Sequence, residues 1–137
     1  MSRVGLMVYR IDDSAQGEQL SELASFEMPE VGEIAWTPQT YLDNLEREVM
    51  VKGWEAMRAL MVGQWQLTDE MMVSQYCEQA PETTRDGHDP LKVACRLGLI
   101  WLPRQECYDS SRQSHVMPGN ESLPEHNGMV TARGLQE

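Results

Sequence analysis

The sequence predicts an α+β chain: a long helix or helical hairpin over about 38–79, a β-hairpin over about 91–108, and an irregular tail. Three observations carry that prediction. Apolar residues recur every three or four positions from Leu42 to Met61, the period of one helix face. Val93, Cys95 and Leu97 alternate with Lys92, Ala94 and Arg96, the period of a half-buried strand. Residues 109–128 are rich in Ser, Pro, Asn and Gly and show neither period. The chain divides on this reading into an acidic N-terminal strand and linker (1–36), a helical and hairpin domain (37–108), and a loop-rich tail (109–137) ending in an incomplete helix.

Taken in order, residues 3–11 (RVGLMVYRI) are apolar and β-branched and read as one short strand, ended by Asp12, Asp13 and Ser14. Residues 14–36 are acidic with weak periodicity. Leu20, Leu23 and Ala24 suggest a short helical turn cut off by Pro29 and Gly32, and an acidic linker fits the same stretch. Thr37 is a good N-cap and Pro38 a good first helical residue, because proline's missing N–H would have no partner there. Gly53 is expected to mark a close contact or a kink, and Gly63 a bend into a second helical stretch that Pro81 closes. Residues 81–90 read as a turn-rich connector. Gly98 turns the hairpin, and Pro103 places its second strand at a sheet edge.

Composition narrows the function. With 137 residues, 41% of them hydrophobic and 24% charged, the chain is neither a coiled rod nor a fully disordered polymer. The 11 basic and 22 acidic side chains give a net charge of −11, which repels phosphate backbones and excludes simple non-specific nucleic-acid binding. The excess sits in residues 1–90; residues 91–137 carry 5 basic and 5 acidic side chains, so any nucleic-acid contact belongs there. Three cysteines form no even disulfide set, and no segment reads as a leader or membrane span. The expectation is a reduced, cytoplasmic protein with structural thiols.

Candidate chemistry is sparse. A zinc site can be posed from Cys107, His115 and His126 with Cys95 or His88 as fourth ligand, but the spacing lacks a close ligand pair, and no metal or cofactor is expected. Asp12-Asp13 and Asp69-Glu70 read as acids on solvated turns and caps. No GxSxG elbow, phosphate-cradling loop or dinucleotide fingerprint occurs, so the chain is not expected to be an enzyme. Met50, Trp54, Met57, Met61 and Trp65 lie at helical spacing and suit either a small core or a partner-binding stripe, including self-association. Lys92, Arg96 and Arg104 at strand spacing, with Arg112 nearby, suit phosphate contacts or a solvated strand face.

Two segments carry a family likeness. DGHDPLKVACRLGLIWLPRQ (86–105) and HVMPGNESLPEHNGMVTARGLQE (115–137) together resemble the N-terminal region of bacterial insertion-sequence transposases of the ISKra type. In that family a long helical segment precedes a GHxPL…G…LPRQ hairpin, and a Pro-Gly-Asn…Leu-Pro…His…Arg-Gly-Leu-Gln-Glu stretch leads into further helices. The corresponding parts here are residues 38–79, Gly87 to Gln105, and Pro118 to Glu137. Such transposases cut and join DNA with a metal-binding Asp/Asp/Glu triad in a ribonuclease-H-like domain. No residue here matches that triad, so the resemblance implies a truncated, non-catalytic chain. It further implies a part in DNA-end recognition, or in assembly with a full-length transposase, for Lys92, Arg96, Arg104 and Arg133. The competing expectation, from charge alone, is an acidic regulator that binds and inhibits a basic nucleic-acid-binding protein such as a nuclease effector.

Overall fold

The computed structural model describes residues 2–33, 37 and 39–123. It is a mixed α+β chain with one long helix and several antiparallel strands in small sheets. The chain divides into two compact units, residues 1–61 and 62–137, with the division falling within the helix.

The first unit opens with strands β1 (Gly5–Ser14) and β2 (Gly17–Glu27), paired antiparallel from Gly5↔Glu27 to Ser14↔Gly17 with a register shift between Val8 and Tyr9. The acidic stretch expected as a helical turn or linker is therefore largely a strand. Its turn chemistry explains why: Gly17 takes φ +113°, and the Ser14 hydroxyl donates to the Gly17 carbonyl at 2.8 Å. A positive φ at the end of a tight turn is cheap for glycine, and it aligns the two strands. Most of β2 faces solvent, so its side chains have no reason to alternate.

Helix α1 (Tyr41–Gln79) runs unbroken for 39 residues, which is the long-helix alternative, and the bend into a second helical stretch expected at Gly63 does not form. A Cβ at Gly53 would meet nothing, so that glycine does not mark a close contact. The helix begins at Tyr41, three residues later than the sequence puts it; Thr37 Oγ1 accepts the Thr40 N–H at 3.2 Å within the turn that precedes it. Pro38 lies outside the described residues.

In the second unit, β3 (Thr83–His88), β6 (Gln105–Asp109) and β7 (Ser114–Val116) form a three-stranded sheet in the order β3-β6-β7. Strands β4 (Leu91–Cys95) and β5 (Gly98–Leu102) form a separate two-stranded hairpin. The predicted hairpin thus ends at Leu102, and β6 joins another sheet. Residues 81–90 are not merely a connector, since β3 pairs with β6 there, and part of the expected loop is β7. A 3-10 helix, Pro118–Ser122, follows. Among the described residues the buried side chains of this unit are Asp69 and Val73 from α1, Ile100 and Leu102 from β5, Cys107 and Asp109 from β6, and Pro118 from the 3-10 helix. The incomplete final helix, His126 and Arg133 lie outside the described residues. Among the described residues no helix is long and apolar enough to cross a membrane.

Candidate nucleic-acid interface

The β4–β5 hairpin has two unlike faces, and the alternation of its sequence is the cause. Leu91, Val93, Cys95, Ile100 and Leu102 point inward, with Ile100 and Leu102 buried. Lys92, Ala94, Leu99 and Trp101 point out, and Trp101 is 57% exposed. Lys92 and Trp101 are cross-strand partners, and the Lys92 ammonium lies 5.5 Å from the Trp101 ring centroid. This is a cation–π contact across the two strands. Arg96 is exposed in the tight turn that joins the strands, where Gly98 takes φ +101°. Cation and aromatic ring thus share the outward face, and the Arg96 guanidinium belongs to the turn at the end of the same hairpin.

The other predicted cations have different jobs. Arg104 Nε donates to the Asp89 carbonyl at 2.9 Å, Nη1 to Asn120 Oδ1 at 2.8 Å, and Nη2 lies 3.4 Å from Asp89 Oδ2. Only 11% of its side chain is exposed, so Arg104 clasps the β3–β4 connection to the 3-10 helix. Arg112 Nη1 donates to the Tyr76 hydroxyl oxygen at 3.2 Å. That hydroxyl donates to Asp109 Oδ2 at 2.6 Å, and the Ser111 hydroxyl donates to Asp109 Oδ1 at 2.6 Å. These bonds, Ser111's first, hold the Asp109 carboxyl below its usual range, and the same carboxylate raises Tyr76. The knot ties α1 to the β6–β7 turn.

Of the predicted helix stripe, Met50, Trp54, Met57 and Met61 are exposed, at 54%, 37%, 44% and 37%. Trp65 is not part of that surface: it is half-buried, and its indole N–H donates to the Pro103 carbonyl. Among the described residues the posed metal ligands do not form a cluster. Tyr108 pairs with His115 and Cys107 with Val116, which puts Cys107 and His115 on opposite faces of β6–β7. His115 Nδ1 instead lies 3.5 Å from both Asp86 and Glu106 carboxylates. Cys107 is fully enclosed, and burial pushes its thiol up, which keeps it protonated and a poor nucleophile.

A cleft of about 340 Å³ lies beside α1, lined by Asp69, Glu70, Val73, Arg85, His88 and Gln105 among others. Asp69, expected on a solvated cap, is only 5% exposed. Its Oδ2 accepts the Gln105 backbone N–H at 2.9 Å, while its buried Oδ1 has no hydrogen-bond partner and is closely approached by Gly119. Burial raises its pKa, and the Gln105 N–H works against that rise.

Sequence reasoning found Lys92 and Arg96 but missed Trp101. The signal was available: once Ile100 and Leu102 face in, Leu99 and Trp101 face out. No family model, no curated protein and no solved structure matches the chain.

Proposed function

We propose that the chain is a non-catalytic, transposase-like N-terminal module that takes part in DNA-end recognition, by itself or assembled with a full-length transposase. The observation that carries this reading is the outward face of β4–β5, where Lys92 lies over the exposed Trp101 ring, with Arg96 exposed in the turn of the same hairpin. A two-stranded ribbon fits the DNA major groove, and an exposed indole offers stacking to an unpaired base at an end. Arg96 and Lys92 supply phosphate contacts. The net charge of −11 keeps such binding local to this face and weak elsewhere.

The test is fluorescence anisotropy with the full chain, a duplex bearing the insertion-sequence terminal repeat, and a scrambled duplex, at graded salt. Two phosphate contacts give a slope of about −2 in log affinity against log salt. Arg96→Ala is expected to reduce that slope by about 1. Trp101→Ala is expected to lose roughly 1–3 kcal/mol of affinity. Failure to bind either duplex at low salt sinks the proposal, as does binding that all three of Lys92→Ala, Arg96→Ala and Trp101→Ala leave intact.

A second reading, an acidic regulator of a basic nucleic-acid-binding protein, draws on the ribbon tip. There Asp13 and Glu18 are direct cross-strand partners, exposed beside Asp12. Replacing DNA with a basic nuclease in the same titration separates the two readings.

A further inference from the structure

Residues 49–61 of α1 invert the usual surface pattern. All seven exposed residues of this stretch are large and apolar, while its charged side chains, Lys52, Glu55 and Arg58, are each half-buried. Water therefore meets the apolar side of the helix. Met50, Trp54, Met57 and Met61 follow a four-three-four spacing, the seam of a two-helix coiled coil, flanked by Val51 and Leu60.

We infer that this seam pairs antiparallel with the same seam of a second copy. The spacing is symmetric about its centre, so an antiparallel two-fold places Met50 against the other copy's Met61 and Trp54 against its Met57. Each bulky indole then meets a flexible thioether that adapts to it. Parallel pairing would instead stack Trp54 on Trp54 in one layer. The occupant is a second copy and not a basic protein or a nucleic acid, because the exposed face from residue 49 to 61 presents neither carboxylate nor cation. The side chains of the seam and its flanks, Met50, Val51, Trp54, Met57, Leu60 and Met61, are each 37–62% exposed, so pairing removes a continuous apolar strip from water.

The test is light scattering of the full chain at micromolar concentration, with circular dichroism as the check on folding. Wild type is expected as a dimer, and Met50→Glu and Met61→Lys each as helical monomers. The double variant Met50→Glu/Met61→Lys is expected to dimerise again, because antiparallel pairing sets the introduced carboxylate of one copy against the introduced ammonium of the other. If a charged variant unfolds, Trp54→Ala decides: retained helicity with at least a roughly tenfold weaker dimer supports the seam. A monomeric wild type overturns the inference, including one that forms a complex only with an added basic protein. A double variant that stays monomeric overturns the antiparallel arrangement, and a Trp54→Ala dimer of unchanged affinity overturns the seam.

Discussion

Asp69 holds a carboxyl group that is only 5% exposed, and the backbone N–H of Gln105 satisfies one of its two oxygens. Burial raises its pKa, so between the ordinary carboxylate value and the raised folded value the native state holds the extra proton. Stability from this group is complete at low pH and is lost as pH rises through the folded pKa. Asp109 works in the opposite sense: its lowered pKa gives stability that is present above the ordinary value and lost as pH falls. Asp69→Asn keeps an acceptor for Gln105 and removes the charge. The variant is expected to gain on wild type as pH rises from acid to neutral, then to hold a constant advantage, as read by urea unfolding across pH. Asp69→Ala leaves the Gln105 N–H without its acceptor and is expected to cost about 1–3 kcal/mol. An Asn variant less stable than wild type at neutral pH would show that the charge itself is needed.

At the scale of elements, α1 demonstrates how a long period outweighs a local breaker. Gly53 sits in mid-helix with open space where a Cβ would go. Gly53→Ala is therefore expected to stabilise the chain by about 0.5–1 kcal/mol, mainly by restricting the unfolded state, as measured by thermal unfolding. An unchanged or lower midpoint would mean that the site is more confined than its surroundings indicate. The β4–β5 hairpin was legible in the sequence because it buries one face, so Leu91 to Leu102 carry a period, whereas α1 was legible from a helical period whose apolar members Leu42, Val49, Met57, Leu60 and Met61 stay exposed. Strand β2 was not, because its side chains are mostly exposed and its order comes from the backbone ladder to β1. Strand β3 was hidden for a related reason: Asp86 and Gly87 read as turn residues, yet β6 supplies a partner for their strand, with a register shift between Arg85 and Gly87. The same distinction applies to the candidate site. The outward position of Lys92 follows from alternation, but Arg96 falls in the turn and not in the strand whose spacing singled it out. The tasks of Arg104 and Trp65 depend on Asp89, Asn120 and Pro103, which meet them only in the fold.

At the scale of the whole molecule, the two units enclose different amounts of apolar surface. Among the described residues, Val8 and Ala56 are the buried hydrophobics of the first unit, each at 9%. The second unit buries Val73, Ile100, Leu102 and Cys107 at 4% or less. A two-stranded ribbon is marginal in water, since its hydrogen bonds close little space from solvent. Leu6, Met7, Tyr9 and Ile11 of β1 are each more than 40% exposed, so opening the ribbon uncovers little more. Strand β6, by contrast, is central in its sheet and carries Cys107 and Asp109, both enclosed. Opening at β6 breaks the Tyr76–Asp109–Ser111 knot and exposes the core together, which couples it to global unfolding. Hydrogen exchange should therefore be fast at the hydrogen-bonded amides of β1 and β2 and slow, near the global limit, in β6. Equal protection in the ribbon and in β6 would show that β1 and β2 unfold only with the second unit, and the division of stability between the units would fail.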